Sequence, residues 1–246
     1  MRTEILYEDK SIMVVRKPAG LAVQSAGIGQ PDVVSELKSY LVKLPGAGRS
    51  GKGEPYLGIV HRLDQPVEGL LVFAKEKKAA AALTKQLSDG TLNKHYYAVL
   101  CGYPAVVEGE LVDYLRKEGS VAVAVTGREK NFPDAKIAKL CYSILEKLDQ
   151  PMPLSLADVC IETGRFHQIR IQFAHAGWPL LGDAKYGNAA VGTAVSHQTY
   201  RSVALCAYSL EFTHPGNGKK MSFRVKPQNP AFEKFTKIPS EDIFEG

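Results

Sequence analysis

The stretch HRLDQPVEGLLVFAK, residues 61–75, sets an imidazole, a guanidinium and a carboxylate in front of a strongly apolar run. His61, Arg62 and Asp64 come first, and 70–73 has the composition of a buried strand. Charged groups beside a buried strand are costly unless they are paired or used. The stretch therefore indicates either a surface ion pair or a functional site at the start of a buried strand.

The tetrapeptide HRLD does not match other motifs built from the same residue types. Arg and Asp are adjacent in a kinase catalytic loop, whereas Leu63 separates them here. Asp64 and Glu68 would share a face only on a helix, and Pro66 argues against one, so a glycosidase carboxylate pair is not favoured. The familiar zinc-ligand spacings are absent as well. A surface ion pair within the tetrapeptide remains an open alternative.

Length and composition indicate a globular chain. It has 246 residues, of which 45% are hydrophobic and 23% charged, so one large domain or two modest ones can form a core. The formal net charge of +5 permits a nucleic-acid partner without requiring one. The first ten residues contain no apolar signal-peptide core, and no apolar run approaches the roughly 20 residues of a membrane span. We therefore expect a cytoplasmic protein that does not enter a membrane.

The cysteines show neither metal-ligand nor disulfide spacing. Cys101, Cys141, Cys160 and Cys206 are far apart in the sequence and form no CxxC pair. Each has apolar neighbours, which is typical of reduced core residues. We expect four buried thiols, with structural disulfides or a zinc site as the less favoured interpretation.

Hydrophobic periodicity predicts many strands and few helices. The predicted helices are 32–43, 76–88, 167–175 and 231–237, and the predicted strands are 57–60, 69–75, 94–100, 110–115, 120–126, 138–145, 156–161, 205–213 and 221–225, with two short strands before 17. Because the strands come in consecutive runs, the pattern predicts an α+β fold with a mostly antiparallel sheet. The glycine-rich segment 45–55 is predicted to be a mobile loop, whose Arg49 and Lys52 either belong to a plain linker or contact phosphate.

A second cluster is NKHYYAV, residues 93–99, which alternates in the manner of a strand. Lys94, Tyr96 and Ala98 would share one face of that strand. An aromatic ring on a strand usually belongs to the core, but beside a cation it can also stack on a nucleobase. Tyr96 is therefore a candidate for either role.

A third cluster is TGRFHQIR, residues 163–170, at the beginning of a predicted helix. Arg165 lies at the helix entrance, where free backbone N–H groups favour anions. His167, Gln168 and Arg170 are expected either to bind phosphate or to face solvent.

These clusters, together with LYEDKSIMVVRKPAG (6–20) and PLLGDAKYG (179–187), resemble the RluA-type family of pseudouridine synthases. The resemblance covers nearly the whole chain, and its motifs are long, ordered and correctly spaced. It implies an α+β fold with a central mixed, mostly antiparallel sheet in two halves, flanking helices and an active-site cleft between the halves. We further expect 1–246 to be a single catalytic domain without the family's N-terminal S4 domain.

The same resemblance implies an isomerase that converts specific uridines of ribosomal or transfer RNA into pseudouridine. Asp64 matches the nucleophile, and Arg165 matches the arginine that pairs with it. Arg62 matches the residue that helps to hold the place of the flipped-out nucleotide, and Tyr96 matches the tyrosine that stacks on the target base. The family consumes no cofactor and requires no metal, and we expect RNA as the partner of a monomeric protein.

Three positions depart from the family pattern. Val67 and Glu68 stand where the family commonly has Thr and Ser, and Phe166 stands where it commonly has Thr. Glu68 adds a negative charge close in sequence to Asp64. We expect its side chain to point outward, because an inward carboxylate would raise the pKa of Asp64.

Two other functions are compatible with the sequence. One is a catalytically silent RNA-binding protein on the same fold, and the other is a nucleoside glycosidase acting on a small molecule. Binding alone would not need Asp64, and the mild positive charge and basic loops favour a polymeric substrate over a small molecule. Lys77, Lys78 and Lys85 on one predicted helix are candidate contacts to the RNA backbone. The isomerase is therefore the predicted function.

Overall fold

The computed structural model describes residues 1–25, 27, 29–43, 54–125, 133–149, 151–187 and 202–246. The predicted basic loop, with Arg49 and Lys52, lies almost entirely outside these residues. The expected contact of that loop with phosphate stays a prediction.

The described residues form three helices and twelve strands. The helices are α1 (Val33–Lys43), α2 (Lys77–Ser88) and α3 (Gln168–His175). The strands are β1 (Glu4–Glu8), β2 (Ile12–Lys17), β3 (Gly58–Ile59), β4 (Glu68–Ala74), β5 (Asn93–Cys101), β6 (Glu108–Glu118), β7 (Val121–Val125), β8 (Lys136–Leu148), β9 (Leu154–Ile161), β10 (Leu205–Thr213), β11 (Lys220–Arg224) and β12 (Ile243–Glu245). The α+β prediction is confirmed.

The chain divides into two compact units. The first comprises Met1–Lys94, Ala207–Pro227 and Ser240–Gly246, and the second comprises His95–Cys206 and Gln228–Pro239. Strands of the first unit follow the order β1-β2-β4-β10, with β3 beside β4, β11 beside β10 and β12 beside β11. Strands of the second unit follow the order β5-β9-β8-β6-β7. The cleft expected between two halves of the sheet stays a prediction.

Strands β2 and β4 form the centre of the first unit. They are antiparallel, with Ile12 opposite Ala74 and Lys17 opposite Gly69. All seven residues of β4 are buried, as the apolar run in the sequence predicts. Leu83 of α2 packs into the same core as Leu70. Each such buried side chain contributes roughly 1.5–3 kcal/mol, so the strand that follows the HRLD motif is firmly held.

Gly69 is required where β4 begins. Its φ of +124° lies outside the range that L side chains favour. A Cβ atom at this position would lie 2.4 Å from the carbonyl oxygen of Ala207. The close approach of these two backbone segments therefore depends on the missing side chain.

Strands of the second unit show the two-residue alternation of burial that is typical of an antiparallel sheet with one face in the core. Residues of β8 alternate between buried and accessible over much of its length. Phe173 of α3 packs edge-on against Tyr142 of β8, with ring centroids 5.5 Å apart. Helix α3 therefore covers the inner face of this sheet, as the apolar spacing of its sequence predicts.

One predicted element is wrong, and one strand was not predicted. The predicted helix 231–237 is only a 3-10 turn at Pro230–Phe232, because Pro230 begins it and too few backbone bonds follow to propagate a helix. The short strand β12 was not predicted, since three exposed residues carry no periodic signal.

The expectation of four buried cysteines is also wrong. Cys101 and Cys206 are buried, whereas Cys141 is exposed and Cys160 is partly exposed. Cys141 lies directly opposite Cys160 in the β8–β9 pair. Strand register makes the two residues cross-strand neighbours, and this register cannot be read from their separation in sequence.

We predict that Gly69→Ala lowers the free energy of unfolding by about 2 kcal/mol or more, because it adds both backbone strain and a clash with Ala207. Gly164→Ala is the control, since a Cβ there meets no atom within 4 Å, and it should change stability by at most about 0.5 kcal/mol. Denaturant titration of both variants gives the comparison. Equal stability of the two variants would contradict this account of Gly69.

Candidate active site

Asp64 lies in a tight turn immediately before β4. The carbonyl oxygen of Asp64 accepts a hydrogen bond from the backbone N–H of Val67 at 3.1 Å. The Asp64 side chain is half-buried, so this carboxylate is partly shielded yet still accessible. Arg62 is exposed, and its guanidinium donates to the side-chain oxygen of Gln24 at 3.4 Å. The two charged residues of the motif therefore differ in their surroundings.

A buried lysine that the sequence did not single out supports this turn. Lys17 has 0% exposure at the end of β2. Its ammonium donates to the backbone carbonyls of Pro18, Leu21 and Gln65 at 3.0, 2.6 and 3.0 Å. Gln65 follows Asp64 directly, so Lys17 is bonded to the backbone of the turn that carries the candidate nucleophile.

Opposing electrostatic effects act on Lys17. The pKa of its ammonium is lowered from 10.5 to about 7, chiefly by burial; the negative charges of Asp64 and Glu68 act against this shift, and the charge of Arg2 adds to it. Three carbonyl acceptors need three donors, which only the ammonium supplies. The geometry therefore fits the charged form of Lys17.

The expectation that Glu68 points outward is wrong. Glu68 is only 5% exposed. It is the first residue of β4, whose neighbours along the strand are all buried. Lys17 and Glu68 interact electrostatically, and this interaction offsets part of the cost of burying the carboxylate.

His61 is a buried neutral residue. Its Nε2 atom accepts the backbone N–H of Val72 at 3.4 Å. Burial, and to a lesser extent the charge of Lys94, lower the pKa of His61 well below 6.5. Among the described residues its Nδ1 has no hydrogen-bond partner. His61 therefore links the motif to β4 and does not titrate near neutral pH.

In the second unit, Gln168 fixes the segment that contains Arg165. The Gln168 side-chain oxygen accepts from the backbone N–H of Arg165 at 2.9 Å and from the Thr163 hydroxyl at 2.8 Å. Its amide nitrogen donates to the carbonyl of Lys139 at 2.9 Å. The half-buried Arg165 donates from Nε to the carbonyl of Ile137 at 2.8 Å. The bonded Nε limits the directions in which this guanidinium can point.

The residues after Arg165 form an aromatic stack. His167 has a left-handed φ of 53°, unusual for a side chain of its size. Its ring stacks on Phe166 at 3.7 Å between centroids, and its Nδ1 lies 2.7 Å from the Tyr186 hydroxyl. The Lys117 ammonium lies 4.9 Å from the Phe166 ring centre. Phe166 is 39% exposed, so this cation and ring are available to a partner.

His167, Gln168 and Arg170 were expected to bind phosphate or face solvent, and both alternatives are wrong. All three are buried, at 8%, 4% and 3% exposure. Arg170 forms a bidentate pair with Asp183, with both N–O distances 2.7 Å. Hydrogen-bond partners on neighbouring segments compensate these polar groups, which offsets the cost of burying them.

Tyr96 lies in β5 opposite Val159, in the strand that the sequence predicts. Its ring is 4% exposed. Of the four predicted site residues, Arg62 and Asp64 belong to the first unit and Tyr96 and Arg165 to the second. The first unit thus offers a half-buried carboxylate supported by a buried cation, and the second offers an anchored guanidinium and a phenol ring.

Two properties of the described residues bear on the kind of site. These residues contain no group of three or more His, Cys, Asp or Glu side chains that could hold a metal ion. The helices in these residues are too short or too polar to cross a membrane.

Sequence comparison identifies relatives of this chain. The profile of the family described as RNA pseudouridylate synthase matches residues 11–175. Ribosomal large subunit pseudouridine synthase D of Zymomonas mobilis is 35% identical over 92% of this chain and 70% of that protein. The protein of the same name from Xanthomonas campestris is 34% identical over 87% of this chain and 63% of that protein. The chain therefore spans less than two thirds of some relatives that it matches.

Solved structures resemble the fold. Human RNA Pseudouridylate Synthase Domain Containing 1 superposes with a TM-score of 0.71 at 19% identity, over 92% of this chain and 83% of that one. Human RNA Pseudouridylate Synthase Domain Containing 4 gives a TM-score of 0.70 at 22% identity, over 92% of this chain and 89% of that one. These likenesses establish the pseudouridine synthase fold.

We predict that Asp183→Asn lowers the free energy of unfolding by about 3–5 kcal/mol, because it leaves the buried guanidinium of Arg170 without its counter-charge. The matched control is Glu211→Gln, which breaks the exposed pair with Arg224 at 3.4 Å and should cost at most about 1 kcal/mol. Thermal or denaturant unfolding distinguishes the two. A small effect of Asp183→Asn would show that the pair is not a structural anchor.

Proposed function

Because the chain belongs to the RNA pseudouridylate synthase family, we propose that it isomerises uridine within RNA to pseudouridine. The observation that carries the proposal is the family match over 11–175, which includes HRLD and the strand behind it. Asp64 in that motif is half-buried on a turn bonded to Lys17, an arrangement suited to an ionised nucleophile.

In the proposed reaction the glycosidic C–N bond of the target uridine breaks, the uracil turns, and its C5 bonds to the ribose C1′. The hydrogen at C5 leaves as a proton and the freed N1 takes up a proton, so the overall change is an isomerisation. The Asp64 carboxylate attacks C1′ or C6, in a bond that breaks again before the product leaves, or promotes elimination to a glycal. Neither atom can be reached within a stacked helix, so the nucleotide is flipped out of the RNA first.

We assign substrate-binding roles to three further residues on the basis of their match to the family motifs. Tyr96 stacks on the target uracil and assists removal of the C5 proton. Arg165 supplies positive charge for the Asp64 carboxylate, and the bond from its Nε to Ile137 supports a fixed orientation. Arg62 is exposed and occupies the place that the flipped nucleotide leaves.

Ribosomal RNA is the proposed substrate class, because the relatives with 35% and 34% identity carry ribosomal large subunit in their names. Transfer RNA is the alternative. The exposed Phe166 with Lys117 nearby supports contact with a nucleic acid, since bases stack on rings and phosphates attract cations. We further propose a cytoplasmic monomer that uses no cofactor or metal.

Asp64→Asn should abolish pseudouridine formation, because the amide is a poor nucleophile, while RNA binding stays within a few-fold of wild type. The measurements are pseudouridine content of ribosomal RNA after incubation and a binding titration with the same RNA. A turnover by Asp64→Asn near the wild-type rate would refute the assignment. If the wild-type protein itself binds the RNA but forms no pseudouridine, the alternative of a catalytically silent RNA-binding protein is favoured.

Tyr96 can be tested with two substitutions of different size and chemistry. Tyr96→Phe should keep RNA affinity and lower the rate, because the ring remains while the hydroxyl is lost. Tyr96→Leu should weaken binding as well, since stacking of a base on an aromatic ring is worth roughly 1–3 kcal/mol. The measurements are the single-turnover rate and the dissociation constant for RNA, each for both variants and for wild type. Wild-type behaviour of both variants would make Tyr96 an ordinary core residue.

A further inference from the structure

The residue after Arg165 is an exposed aromatic ring at a position where the family commonly has threonine. Phe166 is 39% exposed, although burial of a phenyl ring would be favourable. An isolated exposed apolar side chain is ordinary on a protein surface, so the ring alone does not indicate a site. The groups that support and surround it determine what it can bind.

The Phe166 ring rests on a rigid support. It stacks on the ring of His167, with centroids 3.7 Å apart and an interplanar angle of 22°. His167 is 8% exposed, and its Nδ1 lies 2.7 Å from the Tyr186 hydroxyl. That hydroxyl also accepts the backbone N–H of Ala122 at 2.6 Å. Because the ring is held in place before a partner arrives, little conformational entropy is lost on binding.

The β6–β7 hairpin brings positive charge to this ring. The Lys117 ammonium lies 4.9 Å from the ring centre, and Lys117 pairs with Ala122 across the hairpin. At the hairpin turn, the Lys185 ammonium donates to the carbonyl of Ser120 at 2.7 Å. Both lysines are exposed. The hairpin that supports the ring therefore also carries cations.

Charge and shape at this surface fit a nucleotide better than a protein. Residues 116–120 and Lys185 together hold three cations and one acid, Glu118, which forms an ion pair with Arg116. A protein partner commonly covers about 800 Å² on each side of an interface, whereas one ring among lysines offers a small apolar area. A nucleotide presents a base face and a phosphate, which match the ring and the ammonium.

We propose that Phe166 stacks on an unpaired base close to the target uridine and that Lys117 contacts the phosphate of that nucleotide. The location rests on the proposed function, which assigns Arg165 to the reacting site. Consecutive Cα atoms are about 3.8 Å apart, so a base on Phe166 belongs to a nucleotide near the target and not to a distant arm of the RNA. A threonine at this position offers no such stacking surface.

The contact between Lys117 and the ring is compatible with this role. A cation over an exposed ring is held weakly, because water competes for the ammonium. A phosphate carries a full negative charge, and its neutralisation releases counterions. On binding, the Lys117 ammonium therefore exchanges the face of the ring for the phosphate, and the base takes its place on the ring.

The first experiment couples the ring to the base. The probe is a stem-loop RNA with one uridine in a loop of adenosines, and an abasic ribose replaces the adenosine on either side of the uridine. Stacking tolerates any base, so wild type should bind this RNA, and one abasic replacement should weaken binding at least about fivefold. Phe166→Leu should bind the intact RNA about as weakly as wild type binds that abasic RNA, with no further loss on the abasic RNA.

Two further variants make this comparison specific. Phe166→Trp keeps an aromatic face and should keep the sensitivity to the abasic replacement. Phe244→Leu is the matched control, because Phe244 is an exposed phenylalanine of the other unit, at 47% exposure, and it should behave as wild type. If the abasic replacements weaken Phe166→Leu as much as wild type, or if Phe166→Leu loses affinity without this coupling, the proposal is overturned.

The second experiment tests the phosphate contact by salt titration. Lys117→Ala should make the slope of log affinity against log salt shallower by about 0.7, the value for one contact on a single strand. Lys220→Ala, which removes an exposed lysine of the first unit, should leave the slope unchanged. An unchanged slope for Lys117→Ala contradicts its assignment to the phosphate.

The third experiment separates this proposal from the proposed function. With ribosomal RNA as substrate, Phe166→Leu should raise KM at least about fivefold and change kcat less than twofold. A fall in kcat at unchanged KM would make Phe166 a support for Arg165 and overturn the proposal. Pseudouridine formation without the coupling to the base refutes the stacking role alone. Coupling without pseudouridine formation refutes the proposed function alone, and a wild type that binds no RNA refutes both.

Discussion

The bonds from the Lys17 ammonium to three backbone carbonyls are the interaction on which the candidate nucleophile depends. An ammonium buried at the end of a central strand is costly, and it persists because each donor has an acceptor and because carboxylates lie near it. The turn that carries Asp64 is therefore held at Gln65, the residue that follows Asp64. Fixed geometry at a reacting group reduces the entropy that must be lost when the substrate binds.

The second unit uses the same physical strategy with different residues. Buried polar side chains of α3 hold the loops that the family motifs occupy, with Gln168 bonded to the segment 163–165 and Arg170 bonded to Asp183. These polar groups lie in a medium of low dielectric constant, where a fully hydrogen-bonded network makes the structure rigid and specifies one arrangement of the core. The exposed Phe166 and the anchored Arg165 are therefore held in place by buried hydrogen bonds of neighbouring residues.

The sequence predicted the strands well because burial on one or two faces leaves a periodic signal, as in 68–74 and 205–213. The HRLD motif and the family resemblance identified Asp64 as the residue to examine. The inward direction of Glu68, Gln168 and Arg170 was beyond the sequence, since polar residues appear suited to a surface until their tertiary partners are known. Lys17 was overlooked for the same reason. The pairing of Cys141 with Cys160 across β8 and β9 depends on register, which single-sequence patterns do not specify.

The central claim is that this chain, with its own side chains, breaks the C5–H bond of a uridine in RNA and bonds C5 to the ribose C1′. The most direct measurement is the release of tritium to water from ribosomal RNA labelled at C5 of uridine, incubated with the purified chain in excess EDTA. The account predicts tritium release in step with pseudouridine formation, one atom for each uridine converted. An absence of release, or release that needs an added metal ion, would contradict it.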